Sequence, residues 1–228
     1  TYNRTTFDNY IGDPLSGLTY SEIFKDISKM PEGTFTLGEN GVMLWDNRAI
    51  NFLGRRSRSI DTTASYYFGN DWGDWRIELN AVRTLELTSH SLASMPTLSY
   101  ADSELGPSKW TGDLFVGWEG NAWFASLGSH YSAAHRVLYP LSATATDYND
   151  FIPNENPRTR SASYTTFDAQ VGYRKHQRDG WLGGVTARMG VQNMFDRDYP
   201  FVDNLSGFVS NRVNIRGRVL YLDIKKEF

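Results

Sequence analysis

Charged side chains occur in the middle of segments that are otherwise apolar, and they are the first candidates for chemistry. The carboxylates are Asp61, Glu78, Asp113 and Asp168, and the cation is Arg188. Paired carboxylates could transfer protons in a hydrolytic reaction. A water-filled path for a polar ligand accounts for the same residues without any reaction. We therefore predict no catalytic residue and treat these five side chains as a candidate ligand path.

Two further groups contain residue types that bind metal ions. His130 and His135 are five positions apart, without a nearby carboxylate in a zinc-ligand arrangement. The segment 146–157, TDYNDFIPNENP, is rich in Asp and Asn but lacks the Gly and the closing Glu of a calcium loop. No Gly-rich phosphate loop and no Gly-x-Ser-x-Gly elbow occurs either. The sequence therefore predicts neither a metal site nor a cofactor.

Seven segments position the charged residues by alternating apolar and polar side chains, which is the pattern of β-strands. They are 59–68, 75–82, 110–118, 123–131, 167–174, 181–192 and 220–228. In 110–118, for example, Leu114 and Val116 share one face and Asp113 lies on the other. A soluble barrel turns its apolar face inward, whereas a membrane barrel turns that face toward lipid and keeps a polar lumen. The alternation alone fits both.

The connections between these segments differ in length in a regular way. The short ones are 69–74, 119–121 and 176–180, and the long ones are 90–107, 136–162 and 196–215. Short turns at one end and long loops at the other are typical of outer-membrane barrels. A soluble antiparallel barrel has no reason to separate its loops in this way. The connections therefore favour an all-β, antiparallel transmembrane β-barrel.

Aromatic residues collect beside the short turns. They are Phe68, Trp72, Trp75, Trp118, Trp123, Tyr173 and Trp181, and Phe228 falls at the same level because the last strand runs toward the short turns. Aromatic residues make up 14% of the chain, and a girdle at the membrane interface accounts for this excess. A soluble core has no need to place its aromatic residues at strand ends.

Composition excludes several classes of protein. The chain has 228 residues, which suits one all-β domain or two small ones. Its net charge of -3 shows no excess of basic residues of the kind that binds nucleic acid. The mean hydropathy is -0.48, and no apolar run is long enough for a transmembrane helix. There is no cysteine, which fits a cytosol and also an outer membrane reached through an oxidising periplasm.

The first 56 residues lack a clean alternation. We predict that 1–56 contain the end of one strand followed by a long extracellular loop, and that the seven strands occupy 57–228. Within the loop, TYSEIFKDIS (19–28) has apolar residues at helical spacing, which predicts a short helix.

A turn-rich stretch near the end of the chain, GVQNMFDRDYP (190–200), ends the sixth strand. Asn193, Asp196 and Pro200 break the ladder there, because Pro cannot donate a backbone hydrogen bond. Phe195 fits an outer aromatic belt. One loop and one final strand follow, and that strand ends on Phe228. We interpret the stretch as structural rather than catalytic.

This stretch resembles the Asn-Leu-Phe-Asp element near the C-terminus of TonB-dependent outer-membrane transporters, with Met194 in place of Leu. WDNRAIN (45–51) followed by RSRSIDTTASYYF (56–68) also resembles this family, with Ser59 where Gly is frequent. The resemblance covers most of 40–228 and includes the spacing of the C-terminal motif.

The resemblance implies a barrel of about 22 strands, of which this chain would supply the last seven or eight, without the plug domain. It implies a multi-pass protein of the bacterial outer membrane that contacts lipid and imports a scarce ligand of the siderophore, cobalamin, glycan or peptide class. Energy would come from the inner membrane through a TonB-type protein that binds the plug. Phe228 resembles the terminal aromatic residue that the barrel-assembly machinery recognises.

Two other interpretations remain open. A self-contained barrel of eight strands could act as a small pore or adhesin, since eight strands just fill their interior with side chains. Against it, residues 1–12 make a poor closing strand. A soluble ligand-binding β-barrel or carbohydrate module is disfavoured by the loop lengths and by the aromatic residues beside the short turns.

Overall fold

The computed structural model describes residues 1–12, 35–38, 40–46, 50–90, 97–137, 159–175, 180, 183–203, 207–209 and 215–227. These segments consist of β-strands and connections. Within them there is no helix with the length and apolar character needed to cross a membrane. The predicted helix at 19–28, the segment 146–157 and Phe228 lie outside the described residues.

The described residues form thirteen strands. In chain order they are β1 (Tyr2–Gly12), β2 (Phe35–Leu37), β3 (Met43–Trp45), β4 (Ile50–Asn70), β5 (Gly73–His90), β6 (Leu98–Ser99), β7 (Trp110–Gly120), β8 (Trp123–Ser132), β9 (His135–Arg136), β10 (Arg160–Ser161), β11 (Tyr164–Arg174), β12 (Val185–Gln192) and β13 (Val219–Lys226).

Eight of these strands follow one another in a single sheet, in the order β1-β4-β5-β7-β8-β11-β12-β13, and β6 pairs with β5. The pairs β2–β3 and β9–β10 form two small separate sheets. Every register that the described residues define is antiparallel. The predicted all-β antiparallel architecture with seven to eight main strands is therefore confirmed.

Residues 1–56 contain more regular structure than their alternation predicts. The strand β1 pairs with β4 along its whole length, from Tyr2 opposite Ile60 to Gly12 opposite Ile50. The alternation predicted only a strand end here, with the next strand beginning at residue 57. The backbone ladder forms without a clean apolar face, because its hydrogen bonds join main-chain groups. The hairpin of β2 and β3 lies within the predicted long loop.

The chain divides into two compact units. One consists of Thr1, Asp61–Arg83 and Ser108–Phe228, and the other consists of Tyr2–Ile60 and Thr84–Pro107. The first unit contains β7 to β13 and the adjoining parts of β4 and β5. The second contains β1, the β2–β3 hairpin, β6 and the remaining parts of β4 and β5.

Tight turns close one end of the first unit. Residues 71–72 join β4 to β5, and 121–122 join β7 to β8. Asn121 has a φ of 51°, a left-handed conformation that Asn tolerates better than most residues. The strand β12 begins at Val185, after Gly184 with a φ of 68°. The predicted start of this strand at Trp181 lies outside the described residues. We call the end closed by these turns the short-turn end of the sheet.

The apolar face of the first unit is not covered by another layer of the described chain. Leu114 and Leu127 lie in mid-strand and remain 43% and 45% exposed. Among the described residues of this unit, the buried apolar side chains are Val137, Tyr164 and Val202. The apolar side chains in the middle of this face are therefore exposed.

In the second unit a compact loop follows β6. The Asp102 amide donates to the Pro107 carbonyl at 2.9 Å, and the Ser103 hydroxyl donates to the Tyr100 carbonyl at 2.7 Å. Ser103 is fully buried. A Cβ atom on Gly106 would collide with the Tyr100 carbonyl, so this close approach of two backbones requires glycine.

Candidate functional site

A histidine lies between two aspartates on the polar face of three adjacent strands. The Nδ1 atom of His130 is 2.6 Å from Asp113 Oδ1, and its Nε2 atom is 3.3 Å from Asp168 Oδ2. Asp113 on β7 lies directly opposite His130 on β8. Asp168 on β11 lies opposite Gly128, two residues from His130. Because Gly128 has no side chain, the Asp168 carboxylate can reach across it to the imidazole. We call these three side chains the Asp-His-Asp cluster.

The cluster lines an open cavity of about 470 Å³. Thr166 and Gln192 contribute a hydroxyl and an amide to the same cavity. The second oxygen of Asp168 accepts a hydrogen bond of 2.8 Å from the Asn193 backbone amide. Both oxygens of this carboxylate are therefore held, and its position is fixed relative to the turn that ends β12. The cavity offers hydrogen-bond donors and acceptors to a polar ligand.

A second polar group lies nearer the short-turn end. Glu78 accepts a hydrogen bond of 2.8 Å from the Tyr67 hydroxyl and forms an ion pair of 2.6 Å with Arg76. The Arg76 guanidinium lies 5.9 Å from the Tyr67 ring centroid and 5.7 Å from that of Phe115. It is therefore held by one carboxylate and two aromatic rings. Tyr67, Arg76 and Phe115 border a cavity of about 550 Å³.

Aromatic rings on the polar face lie over glycines of neighbouring strands. A Cβ atom on Gly172 would collide with the Phe124 ring, and one on Gly190 would collide with Tyr221. The Phe124 ring also lies 5.1 Å from the Arg174 guanidinium. Glycine thus lets these rings lie close to the sheet. In this arrangement the aromatic ring of a neighbouring strand covers the glycine and stabilises it within the sheet.

Most of the predicted ligand-path charges have partners on neighbouring strands. Asp113 and Asp168 are brought together by His130. Glu78 accepts a hydrogen bond from Tyr67 on β4 and is also paired with Arg76 on its own strand. Arg188 lies 3.6 Å from Asp223 on β13. These partners explain how charges are accommodated at mid-strand. Their role in a ligand path stays a prediction.

Asp61 is held in place through its backbone. Its amide donates to the Thr1 carbonyl at 2.7 Å, and its carbonyl accepts from the Thr1 ammonium at 2.5 Å.

The contact of His130 with Asp113 was not predicted from the sequence, although a signal was present. The turn at 121–122 sets the register of β7 and β8, and counting outward from it places Asp113 opposite His130. His135 has a different environment, since it is 4% exposed and lines a small cavity with Tyr164 and Val202. Among the described residues, no group of three or more His, Cys, Asp or Glu could hold a metal ion.

The predicted strand-end motif forms a hydrogen-bonded turn. Asn193 and Asp196 have φ values of 49° and 53°. The Asn193 side chain donates to the Arg197 carbonyl and accepts from the Arg197 amide, each at 2.9 Å. Asp196 Oδ1 accepts a 2.8 Å hydrogen bond from the Arg218 amide, which links the turn to the start of β13. The Phe195 ring packs edge-on against Phe167 at 5.6 Å.

Aromatic side chains form a row on the opposite, apolar face at the short-turn end. Phe68 stacks on Trp75 with 6.0 Å between centroids, and Trp75 lies 6.4 Å from Trp118. Trp123 packs against Tyr173 at 5.3 Å. These aromatic residues are among those that the sequence analysis placed beside the short turns.

Comparison with known proteins gives one family and several solved structures. A family model described as "TonB dependent receptor-like, beta-barrel" matches residues 1–194. None of the curated protein sequences compared with the chain matches it.

The solved structures share the fold at low sequence identity. A mutant of the ferric enterobactin receptor PfeA from Pseudomonas aeruginosa is 14% identical, with a TM-score of 0.56 over 100% of this chain. Another mutant of PfeA, solved in complex with enterobactin, is 13% identical, with a TM-score of 0.56 over 98% of this chain. The siderophore receptor PirA from Acinetobacter baumannii is 16% identical, with a TM-score of 0.57 over 100%. The chain spans 28%, 28% and 29% of these structures, respectively.

Proposed function

Because this chain belongs to the TonB-dependent receptor family and forms part of its β-barrel, we propose that it takes part in the active import of a scarce ligand across a bacterial outer membrane. The observation that carries the proposal is the division of one sheet into two faces. The apolar face carries exposed leucines and a row of aromatic rings, while the polar face carries paired charges and open cavities. This division suits a wall between lipid and a polar lumen.

The strand order supports a place in a larger barrel. Within the described residues β1 and β13 lie at the two ends of the order and do not pair with each other. An unpaired strand edge is unfavourable in hydrocarbon, where each unsatisfied backbone group costs several kcal/mol. We infer that further strands of the complete protein pair with both edges. This arrangement favours the large transporter over a self-contained pore of eight strands.

Ferric siderophores are the first ligand class to test, because the similar solved structures are siderophore or ferric enterobactin receptors. In this proposal the ligand meets the long loops and then the polar face that contains the Asp-His-Asp cluster. A TonB-type protein supplies energy through the plug, and the barrel-assembly machinery recognises the end of β13 and Phe228.

The proposal is tested by uptake of ⁵⁵Fe-labelled siderophores into cells that carry the complete protein as their sole receptor. We expect uptake of at least one siderophore, and we expect it to stop when the gene for the TonB-type protein is deleted. A matched pair of loop variants then shows where the ligand binds. Shortening 137–162 is expected to reduce uptake, whereas shortening the tight turn at 71–72 is expected to affect assembly instead.

Heat-modifiable migration on gels reports assembly in each case. Uptake that persists without the TonB-type protein would indicate a diffusion pore and contradict active import. Normal uptake after the loop is shortened, with the barrel assembled, would remove 137–162 from the ligand site.

A further inference from the structure

A groove of about 270 Å³ opens on the apolar face of β5, β7 and β8. Its floor is formed by Ala81 and Gly112, two small residues that lie directly opposite each other in the register. Larger side chains form its walls: Leu79, Leu114, Trp110 and Tyr131. All of these residues belong to the first compact unit. We call this cavity the Gly112 groove.

An arginine lies beside one end of the groove. Arg83 pairs with Trp110 in the register and follows Ala81 on the same face. Its guanidinium is 5.3 Å from the centroid of the Trp110 ring, and the side chain is exposed. Among the described residues no carboxylate forms an ion pair with Arg83. A positive charge thus lies at the edge of an apolar surface without an anionic partner from the described chain.

The register of β5 and β7 places Arg83 near a membrane interface in the proposed outer-membrane barrel. The cross-strand pair of Trp75 and Trp118 lies on the same face beside the short turns. The pair of Arg83 and Trp110 lies eight residues further along both strands. A strand crosses the bilayer in about 9–11 residues, so the two pairs fall near opposite interfaces. Because short turns face the periplasm in such barrels, Arg83 lies on the side of the outer leaflet.

We propose that the Gly112 groove binds an acyl chain of a phosphate-bearing glycolipid of the outer leaflet, and that Arg83 binds its phosphate. This inference rests on the proposed place of the chain in an outer membrane. The apolar floor and walls of the groove suit a hydrocarbon chain. The planar guanidinium can donate two parallel hydrogen bonds to a phosphate. Its contact with the Trp110 ring holds it beside the groove, so both parts of one lipid can be bound together.

Two residues of the same unit provide matched controls. Arg174 also contacts an aromatic ring, with 5.1 Å between its guanidinium and the Phe124 centroid, but it lies on the polar face. Ala169 lies on the apolar face opposite Leu127 and Val191, outside the groove. Arg174→Gln therefore removes a cation held by a ring without changing the groove. Ala169→Val adds apolar bulk to the same face without filling the groove.

The test uses the complete receptor in neutral detergent, with bisphosphorylated lipid A as the probe and native mass spectrometry as the readout of bound lipid. Arg83→Gln is expected to bind lipid A about fivefold more weakly at low salt, because a cation near an anionic surface adds to the attraction. Gly112→Val fills the groove and is expected to weaken binding by a similar factor. A Cβ atom on Gly112 meets its nearest neighbour at 3.4 Å, an ordinary contact, and valine favours strands.

Lipid A from which both phosphates have been removed separates the two parts of the site. Gly112→Val should still weaken the binding of this lipid, because the acyl chain is unchanged. Arg83→Gln should have no effect on it, because the group that Arg83 binds is missing. Arg174→Gln and Ala169→Val should bind both lipids like the unaltered protein.

Several results would overturn the inference. Unchanged lipid A binding by Arg83→Gln or Gly112→Val, or an equal loss in the matched control, would reject the site. An equal effect of Arg83→Gln on both lipids would show that Arg83 does not bind the phosphate. Displacement of lipid A by millimolar inorganic phosphate would identify a site for free anions instead. A receptor dimer that Gly112→Val dissociates would assign the groove to a second copy of the chain.

Heat-modifiable migration checks that each variant is assembled. If Gly112→Val does not assemble, Arg83→Gln and the dephosphorylated lipid decide the test by themselves. Siderophore uptake separates this proposal from the import function. Arg83→Gln should import normally if both are correct, because Arg83 lies on the face opposite the Asp-His-Asp cluster. Lipid A binding without any uptake would reject the import function alone.

Discussion

The two faces of one sheet differ in how they hold their side chains. On the apolar face the mid-strand leucines Leu114 and Leu127 are more than two-fifths exposed, and aromatic rings at the strand ends pack against one another. On the polar face a single imidazole contacts carboxylates from two other strands. Both faces are built by the same backbone, because successive residues of a strand point to opposite sides.

The difference shows that the side-chain partners, rather than the strands themselves, distinguish the two faces of this sheet. A charge on the polar face has a partner across the ladder, as Arg188 has in Asp223. Leu114, Val116 and Leu127 adjoin one another in the register, and their apolar side chains cannot pair with a charge placed among them. A charge should therefore be tolerated at one position and harmful at the next.

The largest effect is expected from a charge in the middle of the apolar face. Leu127 pairs with Val116 on one side and Ala169 on the other. If this face contacts lipid as proposed, Leu127→Arg should destabilise the complete barrel by about 2–4 kcal/mol, the cost of arginine near the bilayer midplane. Urea unfolding of the complete protein in phosphatidylcholine vesicles measures this free energy.

Ser126→Arg is the matched control, because Ser126 is the neighbouring residue on the polar face. It lies opposite Gly117 and Gln170, where a long side chain has room. We expect a change within about 1 kcal/mol, close to that of ordinary surface substitutions. Equal destabilisation by the two variants would contradict the proposal that the two faces have different surroundings.

A second prediction concerns the turn that ends β12 and holds Asp168. Asn193→Ala removes two hydrogen bonds to Arg197 and leaves a non-glycine residue at a φ of 49°. We expect a loss of about 2 kcal/mol, from about 0.5–1.5 kcal/mol for each hydrogen bond and some left-handed strain. Thermal unfolding of the complete protein measures it.

Asn193→Gly sharpens the result, since glycine adopts the left-handed conformation freely. It removes the same two hydrogen bonds and should lose less stability than Asn193→Ala. If glycine were as harmful as alanine, the backbone conformation would contribute nothing and the hydrogen bonds alone would explain the loss.

The strands were predictable where alternation and turn chemistry agree. The strand β7 begins at Trp110, as the alternation predicts, and the turn at 121–122 places β8 opposite it. The strand β1 could not be recognised, because YNRTTFDNYIG has no regular apolar face. Its pairing depends on backbone groups and on the register with β4, which residues distant in sequence determine.

The candidate site was predictable only in part for a similar reason. The contact of Asp113 with His130 follows from a tight turn and could have been counted from the sequence. The contact of His130 with Asp168 depends on the register of β8 and β11, which the long connection 136–162 leaves undefined. Long loops set no register, whereas tight turns do. Contacts between strands that a long loop connects can therefore be identified only from the structure.

A third prediction tests how rings are held on the polar face. A Cβ atom on Gly172 would collide with the Phe124 ring, so Gly172→Ala should displace that ring. We expect a cost of about 1 kcal/mol, the low end for overpacking, since the ring can move toward the open cavity. Urea unfolding measures the cost of Gly172→Ala in the unaltered protein and in the Phe124→Leu variant, and so tests whether the collision with the ring causes that cost. If the second substitution does not reduce the cost of the first, the collision is not its cause.

The smallest effect is expected at the Asp-His-Asp cluster itself. The His130 and Asp113 side chains are 56% and 60% exposed, so water screens their interaction and leaves each group able to hydrate when its partner is removed. His130→Gln should therefore change the free energy of unfolding by less than about 1 kcal/mol, as exposed ion pairs generally do. The same variant tests the ligand path, because glutamine keeps hydrogen bonding but has a different shape. We expect siderophore uptake to fall while urea unfolding in vesicles stays nearly constant. A loss of stability as large as that of Leu127→Arg would mean that the cluster is a buried structural element, and the polar face would then not be a water-filled wall.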